Sequence, residues 1–290
     1  MAQQAEGAGD RGAGDRSAGD GAAEERSGGR LAGKVVLIVG GTSGLGLSAA
    51  RACEAAGARI AVTGRNPGKL EQARARLSGE AQVLSGDARD PKAVEHILAD
   101  VLRRHGRLDA LYHVAGGSGR SLGDGPLHEI SDDGWAGSMH LNLDTVFYSN
   151  RAAVRQFLKQ GQGGVVLNMA SVLGFSPAPR FFSTHAYAAA KAGIIGFSRS
   201  TAAYYARDDI RVNVIAPALV DTPMAERAVG NDEIMNFVRS KQPLDGGRVG
   251  APEDYDGAAV FLLSEESAFM TGQVVTIDGG WTVSDGQYSG

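Results

Sequence analysis

Tyr187 and Lys191 lie four residues apart in the sequence, and Ser171 lies sixteen residues before Tyr187 at the end of an apolar run. Positions i and i+4 of a helix share a face, so the Lys191 ammonium can lie beside the Tyr187 phenol and favour its phenolate form. A tyrosine tuned in this way exchanges protons near neutral pH. Because Tyr-x3-Lys pairs also arise by chance, the interpretation depends on the surrounding elements.

A glycine-rich segment directly follows the first apolar run of the core. It reads Gly40-Gly41-Thr42-Ser43-Gly44-Leu45-Gly46 and precedes a helical stretch. Glycines let the backbone turn tightly and approach a pyrophosphate, whose charge is favoured by free N–H groups at a helix start. The setting predicts a dinucleotide site, with a plain tight turn as the alternative.

The end of the second predicted strand bears on the choice of dinucleotide. An acidic residue there would bind a ribose 2′-hydroxyl and repel a 2′-phosphate, but the chain has Gly64 followed by Arg65. A guanidinium can pair bidentately with a phosphate, which favours NADP(H) over NAD(H). The alternative is that Arg65 only faces solvent.

Short apolar runs alternate with amphipathic stretches from Leu31 onward. The predicted strands are Val35 to Val39, Arg59 to Thr63, Ala81 to Leu84, Ala110 to Val114, Val165 to Met169, Arg211 to Ile215 and Val274 to Ile277. The predicted helices are Leu45 to Ala56, Pro67 to Leu77, Pro91 to His105, Trp135 to Lys159, Ala186 to Ala206 and Pro252 to Leu263. This alternation predicts an α/β fold, a three-layer doubly wound parallel sheet of the Rossmann type.

Composition divides the chain and excludes several functions. Residues 1–29 are low in complexity and predict a disordered tail, leaving one Rossmann-type domain at 30–290. A net charge of −4 without a basic cluster argues against nucleic-acid binding, and neither a membrane span nor a metal-ligand cluster is present in the sequence. The single cysteine, Cys53, favours a cytoplasmic location.

Together these features resemble the short-chain dehydrogenase/reductase family over about residues 31 to 283. Further motifs carry the likeness: Asp87, Asn142, Asn213 to Pro217, Thr222-Pro223-Met224, Thr271-Gly272-Gln273 and Asp278-Gly279-Gly280. The resemblance implies a catalytic set of Asn142, Ser171, Tyr187 and Lys191. It implies a cofactor-binding set of Gly40, Thr42, Ser43, Gly44, Leu45, Gly46, Arg65, Asp87, Ala88, Ala115, Gly116, Tyr187, Lys191, Pro217, Val220 and Thr222.

The resemblance also implies roles for these residues. Asp87 would contact adenine, Asn142 would hold a water in a proton relay, and Ser171 would bind the substrate oxygen. Lys191 would bind the nicotinamide ribose and lower the pKa of Tyr187. In the alternative interpretations, Asp87 caps the helix at Pro91, Asn142 satisfies a helix kink and Ser171 closes a turn.

Four positions depart from the family pattern. Val39 replaces a threonine before the first glycine, His113 replaces an asparagine after the fourth strand, and Ala218 replaces a glycine after Pro217. The interval from Ser171 to Tyr187 is about three residues longer than usual. Phe175, Phe181 and Phe182 in that interval either wall the substrate mouth, with Arg180 binding a substrate anion, or pack the loop onto the body.

We therefore predict an NADP(H)-dependent oxidoreductase that interconverts a secondary alcohol and a ketone, with Tyr187 as general acid and base. The substrate stays open among acyl thioesters, polyketides, steroids, sugars and quinones. Alternatives are a non-catalytic dinucleotide-binding regulator or scaffold and an NAD-dependent alcohol dehydrogenase of the same fold. By resemblance, the protein forms a homotetramer or a dimer, and segment 221–250 is a mobile substrate lid.

Overall fold

The computed structural model describes residues 29–287, so the predicted N-terminal tail falls outside it apart from Gly29. Its strands are β1 (Val35–Val39), β2 (Arg59–Gly64), β3 (Gln82–Ser85), β4 (Ala110–His113), β5 (Gly164–Met169), β6 (Ile210–Pro217) and β7 (Val274–Ile277). Its helices are α1 (Gly44–Ala55), α2 (Pro67–Arg76), α3 (Pro91–His105), α4 (Asp132–Met139), α5 (Thr145–Gln160), α6 (His185–Tyr205), α7 (Glu226–Val229), α8 (Asp232–Lys241), α9 (Leu244–Gly247) and α10 (Asp256–Leu263).

The strands of the described region form one parallel sheet in the order β3-β2-β1-β4-β5-β6-β7. Strand β1 pairs with β2 on one side and with β4 on the other, so the chain reverses its direction of winding there. In open parallel sheets, ligands bind outside the carboxyl ends of the strands at such a reversal. The doubly wound prediction is confirmed, and the sheet places the site between β1 and β4.

Strand β1 shows why the sheet is buried on both faces. Val36 and Ile38 pack in a cluster with α1 and α10, whereas Val35, Leu37 and Val39 pack in a second cluster with α3 and α5. All five side chains are buried. A continuous run of branched apolar residues is therefore required here, because neither face of the strand meets water.

The helix predicted from Trp135 to Lys159 is not continuous. It begins earlier, where the Ser131 side chain accepts a hydrogen bond from Gly134 N, and residues His140–Asp144 form a π-helical turn between α4 and α5. Asn142 Nδ2 donates to Ser138 O at 3.0 Å within this turn. Hydrophobic periodicity does not reveal such a turn, because the turn is stabilised by hydrogen bonds from side chains to the backbone.

Two further boundaries differ from the prediction. The segment from Pro252 to Leu263 begins as a 3₁₀ helix over Pro252–Tyr255 before α10. Segment 221–250 contains α7, α8 and α9, the last of which is interrupted by left-handed backbone at Asp245.

No helix in residues 29–287 is both long and apolar enough to cross a membrane. Within the same range, no three His, Cys, Asp or Glu side chains are grouped as metal ligands.

Candidate active site

A cleft of about 770 Å³ runs along the carboxyl edge of the sheet. Because all strands are parallel, the segments that follow β1, β2, β3, β4, β5 and β6 open onto this one edge. Every residue of the predicted cofactor-binding set lines the cleft except Gly46. Ser171 also lines it, whereas Asn142 lies behind its wall.

The glycine-rich turn forms the floor of the cleft. Gly40 has a φ of +86°, and a Cβ there would lie 2.6 Å from the backbone N of Ala115. A Cβ on Gly46 would lie 2.2 Å from Gly40 O, so Gly46 lets α1 pack on the turn instead of facing the cleft. Ser43, the N-cap of α1, forms no side-chain cap, and the first turn holds no acidic residue. The free N–H groups therefore suit a pyrophosphate.

Basic side chains surround Asp87 at the far end of the cleft. Arg65 Nη1 lies 3.5 Å and Arg89 Nη2 2.6 Å from Asp87 Oδ2. Hydrogen bonds from Arg89 lower the pKa of Asp87 to about 2, against the opposing effect of burial. Lys69 and Arg89 also line the cleft and were missed from the sequence, although Arg89 follows a strand end just as Arg65 does.

Asp87 does not cap the following helix. The N-cap of α3 is Asp90, whose Oδ1 accepts a hydrogen bond from Lys92 N at 2.9 Å. The alternative interpretation of Asp87 as a helix cap is therefore wrong. Asp87 remains available at the cleft, with its charge directed toward two guanidiniums.

Ser171, Tyr187 and Lys191 meet at the other end of the same cleft. Ser171 follows β5, and its Oγ accepts from Leu173 N at 3.2 Å, so the serine also closes the turn as the alternative interpretation proposed. Lys191 Nζ lies 5.5 Å from the centroid of the Tyr187 ring and donates to Met169 O at 2.9 Å. The helical spacing of Tyr187 and Lys191 thus places both side chains on the face of α6 that meets the cleft.

The pKa of Tyr187 shifts in the direction opposite to the one expected from Lys191. Burial raises the pKa of the Tyr187 phenol, and a hydrogen bond with Ser171 only partly offsets it. The Lys191 ammonium is bound to the Met169 carbonyl, and burial lowers its own pKa to about 8. The phenol is therefore held in its protonated form, contrary to the expectation from spacing, because desolvation outweighs the charge of a lysine that is bound elsewhere.

Asn142 secures the wall of the site from behind. Its Oδ1 accepts from Gly117 N at 3.1 Å, and its Nδ2 donates to Gly117 O at 2.9 Å and to Ser138 O. A Cβ on Gly116 would lie 2.8 Å from Asn142 Oδ1. The side chain thus hydrogen-bonds the backbone of the irregular turn between α4 and α5, as the alternative interpretation proposed. It also fixes the segment after β4.

Asp124 anchors the start of α6 and was missed from the sequence. Its carboxylate accepts from Ala186 N at 3.0 Å and from Tyr187 N at 2.8 Å. Thr184, the N-cap residue of α6, makes no side-chain cap. A separation of 63 residues leaves no local signal by which sequence reasoning could have found this contact. Asp124 therefore accepts the hydrogen bonds that an N-cap side chain would accept, and it fixes the backbone of Tyr187.

Replacing Asp124 with alanine is expected to lower the free energy of unfolding by about 1–2 kcal/mol, because two N–H groups lose their acceptor. Asp124→Asn keeps one acceptor oxygen and should lose less. Urea unfolding of the three proteins measures the effect. Equal stability of wild type and Asp124→Ala would show that water replaces the carboxylate without cost.

His113 lies at the end of β4 with no exposed surface. Its Nδ1 is 2.7 Å from Ser149 Oγ and its Nε2 is 3.1 Å from Ala115 O. A neutral ring satisfies both contacts when Nε2–H donates to the carbonyl and Nδ1 accepts from the hydroxyl. Burial lowers the pKa of His113 to about 3, with a contribution from the charge of Lys191. His113 therefore forms two buried hydrogen bonds at the end of β4.

The loop at 174–182 packs against α8 and against Trp281. The Phe181 ring lies 5.2 Å from that of Phe237, and the Phe182 ring lies 5.7 Å from that of Trp281. Phe182 lines the cleft as well, whereas Phe175 does not. Arg180 forms an ion pair with Glu233 and is absent from the cleft lining, so it is not the expected anion-binding residue.

The comparisons with known proteins agree with this geometry. A family model described as Enoyl-(Acyl carrier protein) reductase matches residues 39–282. The 3beta-hydroxysteroid dehydrogenase 2 of Eggerthella lenta is 32% identical, with 90% of this chain and 99% of that protein covered. The 3-oxoacyl-(acyl-carrier-protein) reductase FabG of Chlamydia trachomatis serovar D is 34% identical, with 87% and 98% covered. The crystal structure of levodione reductase superposes with a TM-score of 0.80 at 29% identity, covering 87% and 99% of the two chains.

Proposed function

Because the chain belongs to the short-chain dehydrogenase/reductase family, we propose that it transfers a hydride between NADP(H) and a secondary alcohol or ketone. The observation that carries this proposal is the position of Ser171, Tyr187 and Lys191 on a cleft that continues to the glycine-rich turn. A site for proton transfer and a site for a dinucleotide therefore share one cavity.

Each residue of the site has a separate task in this proposal. The nicotinamide supplies the hydride when the cofactor is bound. Ser171 donates a hydrogen bond to the substrate oxygen, and Tyr187 gives it a proton during reduction and removes one during oxidation. Lys191 binds the nicotinamide ribose, Val220 and Thr222 hold the carboxamide, and Asn142 supports a proton relay.

Turnover with simple ketones tests the proposal against a regulator or scaffold without chemistry. We expect the purified protein to consume reduced nicotinamide cofactor with at least one member of a panel of ketones, measured as loss of its absorbance. Cofactor binding without consumption across aliphatic, cyclic and acyl-thioester ketones would instead support the binding-only function.

The preference for NADP(H) is supported by the charges at the Asp87 end of the cleft. Arg65, Lys69 and Arg89 lie there with a single carboxylate between them. Guanidiniums form bidentate contacts with phosphate groups. A ribose 2′-hydroxyl cannot form a bidentate contact of this kind. An NAD-dependent alcohol dehydrogenase of the same fold would not need this cluster.

Arg65→Ala and Arg89→Ala are each expected to lower the preference for NADPH over NADH by about tenfold, the value of one charged hydrogen bond. The ratio of kcat/KM for the two cofactors measures the effect. Arg74→Ala is the matched control, since Arg74 pairs with Glu71 on α2 away from the cleft. A wild-type enzyme that prefers NADH would contradict the proposal.

Assembly into a homotetramer or dimer and a cytoplasmic location are also proposed. Exposed aromatic side chains support the assembly, since Phe147 on α5 is 40% exposed and Tyr204 on α6 is 60% exposed. Cys53 is a buried free thiol, which suits a reducing compartment. The mass of the protein in solution measures the oligomeric state.

A further inference from the structure

The cleft is basic although the whole chain is acidic. The chain carries a net charge of −4. Among the described residues, Asp87 is the one carboxylate that lines the cleft, against six basic side chains: Arg65, Lys69, Arg89, Arg120, Lys191 and Arg227. The first three belong to the Asp87 end, and Lys191 belongs to the catalytic set. Arg120 and Arg227 thus remain without a place in the proposed function.

Arg120 and Arg227 converge on one backbone atom. Arg120 Nη2 donates to Phe181 O at 3.3 Å, and Arg227 Nη2 donates to the same oxygen at 3.2 Å. The two guanidiniums are therefore neighbours, although one follows β4 and the other belongs to α7. A single carbonyl oxygen satisfies only one of the N–H groups that each fork carries.

Neither guanidinium is paired directly with a carboxylate. Within residues 29–287, Arg120 and Arg227 form no ion pair with a carboxylate, whereas Arg180 on the adjoining loop pairs with Glu233. Burial and the charge of Arg227 lower the pKa of Arg120, and the more distant charge of Asp124 only partly opposes them. Two like charges kept side by side without an ion-pair partner favour the binding of an anion between them.

Arg120 is held at a fixed position relative to the catalytic tyrosine. It begins a 3₁₀ turn between Gly119 and Gly123, and Asp124 N donates to Gly119 O at 3.1 Å. The side chain of the same Asp124 accepts from Tyr187 N. One residue thus joins the turn that bears Arg120 to the helix that bears Tyr187, so the distance between an anion and the reacting carbonyl is set by the fold.

We propose that the substrate carries an oxyanionic group, such as a carboxylate or a phosphate, which Arg120 and Arg227 bind while Ser171 and Tyr187 hold the reacting oxygen. This inference rests on the proposed function and adds the class of its substrate. The planar fork of arginine matches the geometry of both oxyanions. Arg120 and Arg227 come from different elements, so binding of the anion joins the segment after β4 to α7.

The test compares oxo acids of increasing chain length with their neutral methyl esters, and with oxo-alkyl phosphates as a separate arm. We expect the wild-type enzyme to favour an acid or a phosphate over its neutral counterpart in kcat/KM by about tenfold or more. Arg120→Gln and Arg227→Gln should each remove about tenfold of that preference through KM, with the ester little changed. The preferred arm identifies the anion as carboxylate or phosphate.

Arg180→Gln is the matched control, because it removes a guanidinium that is already paired with Glu233. It should leave the ratio of acid to ester unchanged. Equal use of acids and esters by the wild type, together with no preference for the phosphates, would overturn the inference. An equal loss of kcat/KM for acid and ester in the two glutamine variants would also overturn it. The arginines would then only hold the loop at 174–182 in place. A rise only in the KM for NADPH would assign them to the cofactor phosphates.

The inference and the proposed function fail in different ways. Turnover of any neutral ketone supports the proposed function whether or not acids are preferred. If no ketone is turned over, the thermal shift produced by the oxo acids in the presence of NADPH still tests the anion site. A rise in Tm with the oxo acids or the oxo-alkyl phosphates, absent with the esters and in both glutamine variants, supports the site, and no rise with either anion overturns it.

Discussion

Replacing Tyr187 with phenylalanine is expected to lower kcat about a thousandfold, within the range that general acid–base catalysis contributes. Burial raises the pKa of this phenol, so it carries its proton at neutral pH and can donate it to the oxygen that forms during reduction. Phenylalanine keeps the ring and the backbone contact with Asp124 but has no proton to give. Consumption of NADPH with a ketone measures kcat.

Two measurements separate a catalytic loss from a structural one. The affinity for NADPH should change by less than about twofold, because the substitution removes one hydroxyl beside the substrate and none at the phosphates. Tyr204→Phe is the matched control on the same helix, where the ring is exposed and is contacted by Arg207. Retention of more than about a tenth of wild-type kcat by Tyr187→Phe would exclude the tyrosine as the main proton donor.

The second large effect is the acid sensitivity that His113 confers. The pKa of His113 is about 3 in the folded protein, against 6.5 for an ordinary histidine. Between these two pH values the unfolded chain binds a proton that the folded chain does not. Stability from this group is therefore complete above about pH 6.5 and falls by up to about 1.4 kcal/mol for each pH unit below it.

Comparison with His113→Asn isolates this contribution, because all other titrating groups are common to both proteins. Between about pH 7.5 and pH 5, wild type should lose about 2 kcal/mol more unfolding free energy than the variant. Urea unfolding at the two pH values measures the difference. His128→Asn is the control, since that ring is 81% exposed. Parallel losses in wild type and His113→Asn would mean that His113 is protonated in the fold without cost.

The sequence predicted the sheet because both faces of every central strand are covered. Val35–Val39 is an uninterrupted apolar run and Val165–Met169 is one broken only by Asn168, and the structure forms strands there with at most one residue of difference. The glycine-rich turn was equally readable, since Gly40 and Gly46 have close backbone neighbours that leave no room for a Cβ. Local sterics and burial act on adjacent residues, so they are visible in the order of the residues.

The interruption of the helix around Asn142 was not readable in the same way. An apolar period continues through the region, but the amide of Asn142 binds Gly117, which lies 25 residues earlier in the chain. The direction of the Tyr187 pKa was also wrong from spacing alone. Desolvation depends on how the whole chain packs around the phenol, which spacing along one helix does not show.

The residue types and spacing of Ser171, Tyr187 and Lys191 determined the candidate reaction, because a helix of regular pitch places i and i+4 side chains together. Only the tertiary structure decided how the site is held and what lies opposite it. Asp124 accepts a hydrogen bond from the backbone of Tyr187, 63 residues away in the chain. The Phe181 carbonyl accepts hydrogen bonds from Arg120 and Arg227, which belong to separate elements. Contacts of that kind follow from the packing of the whole chain, and short-range patterns carry no record of them.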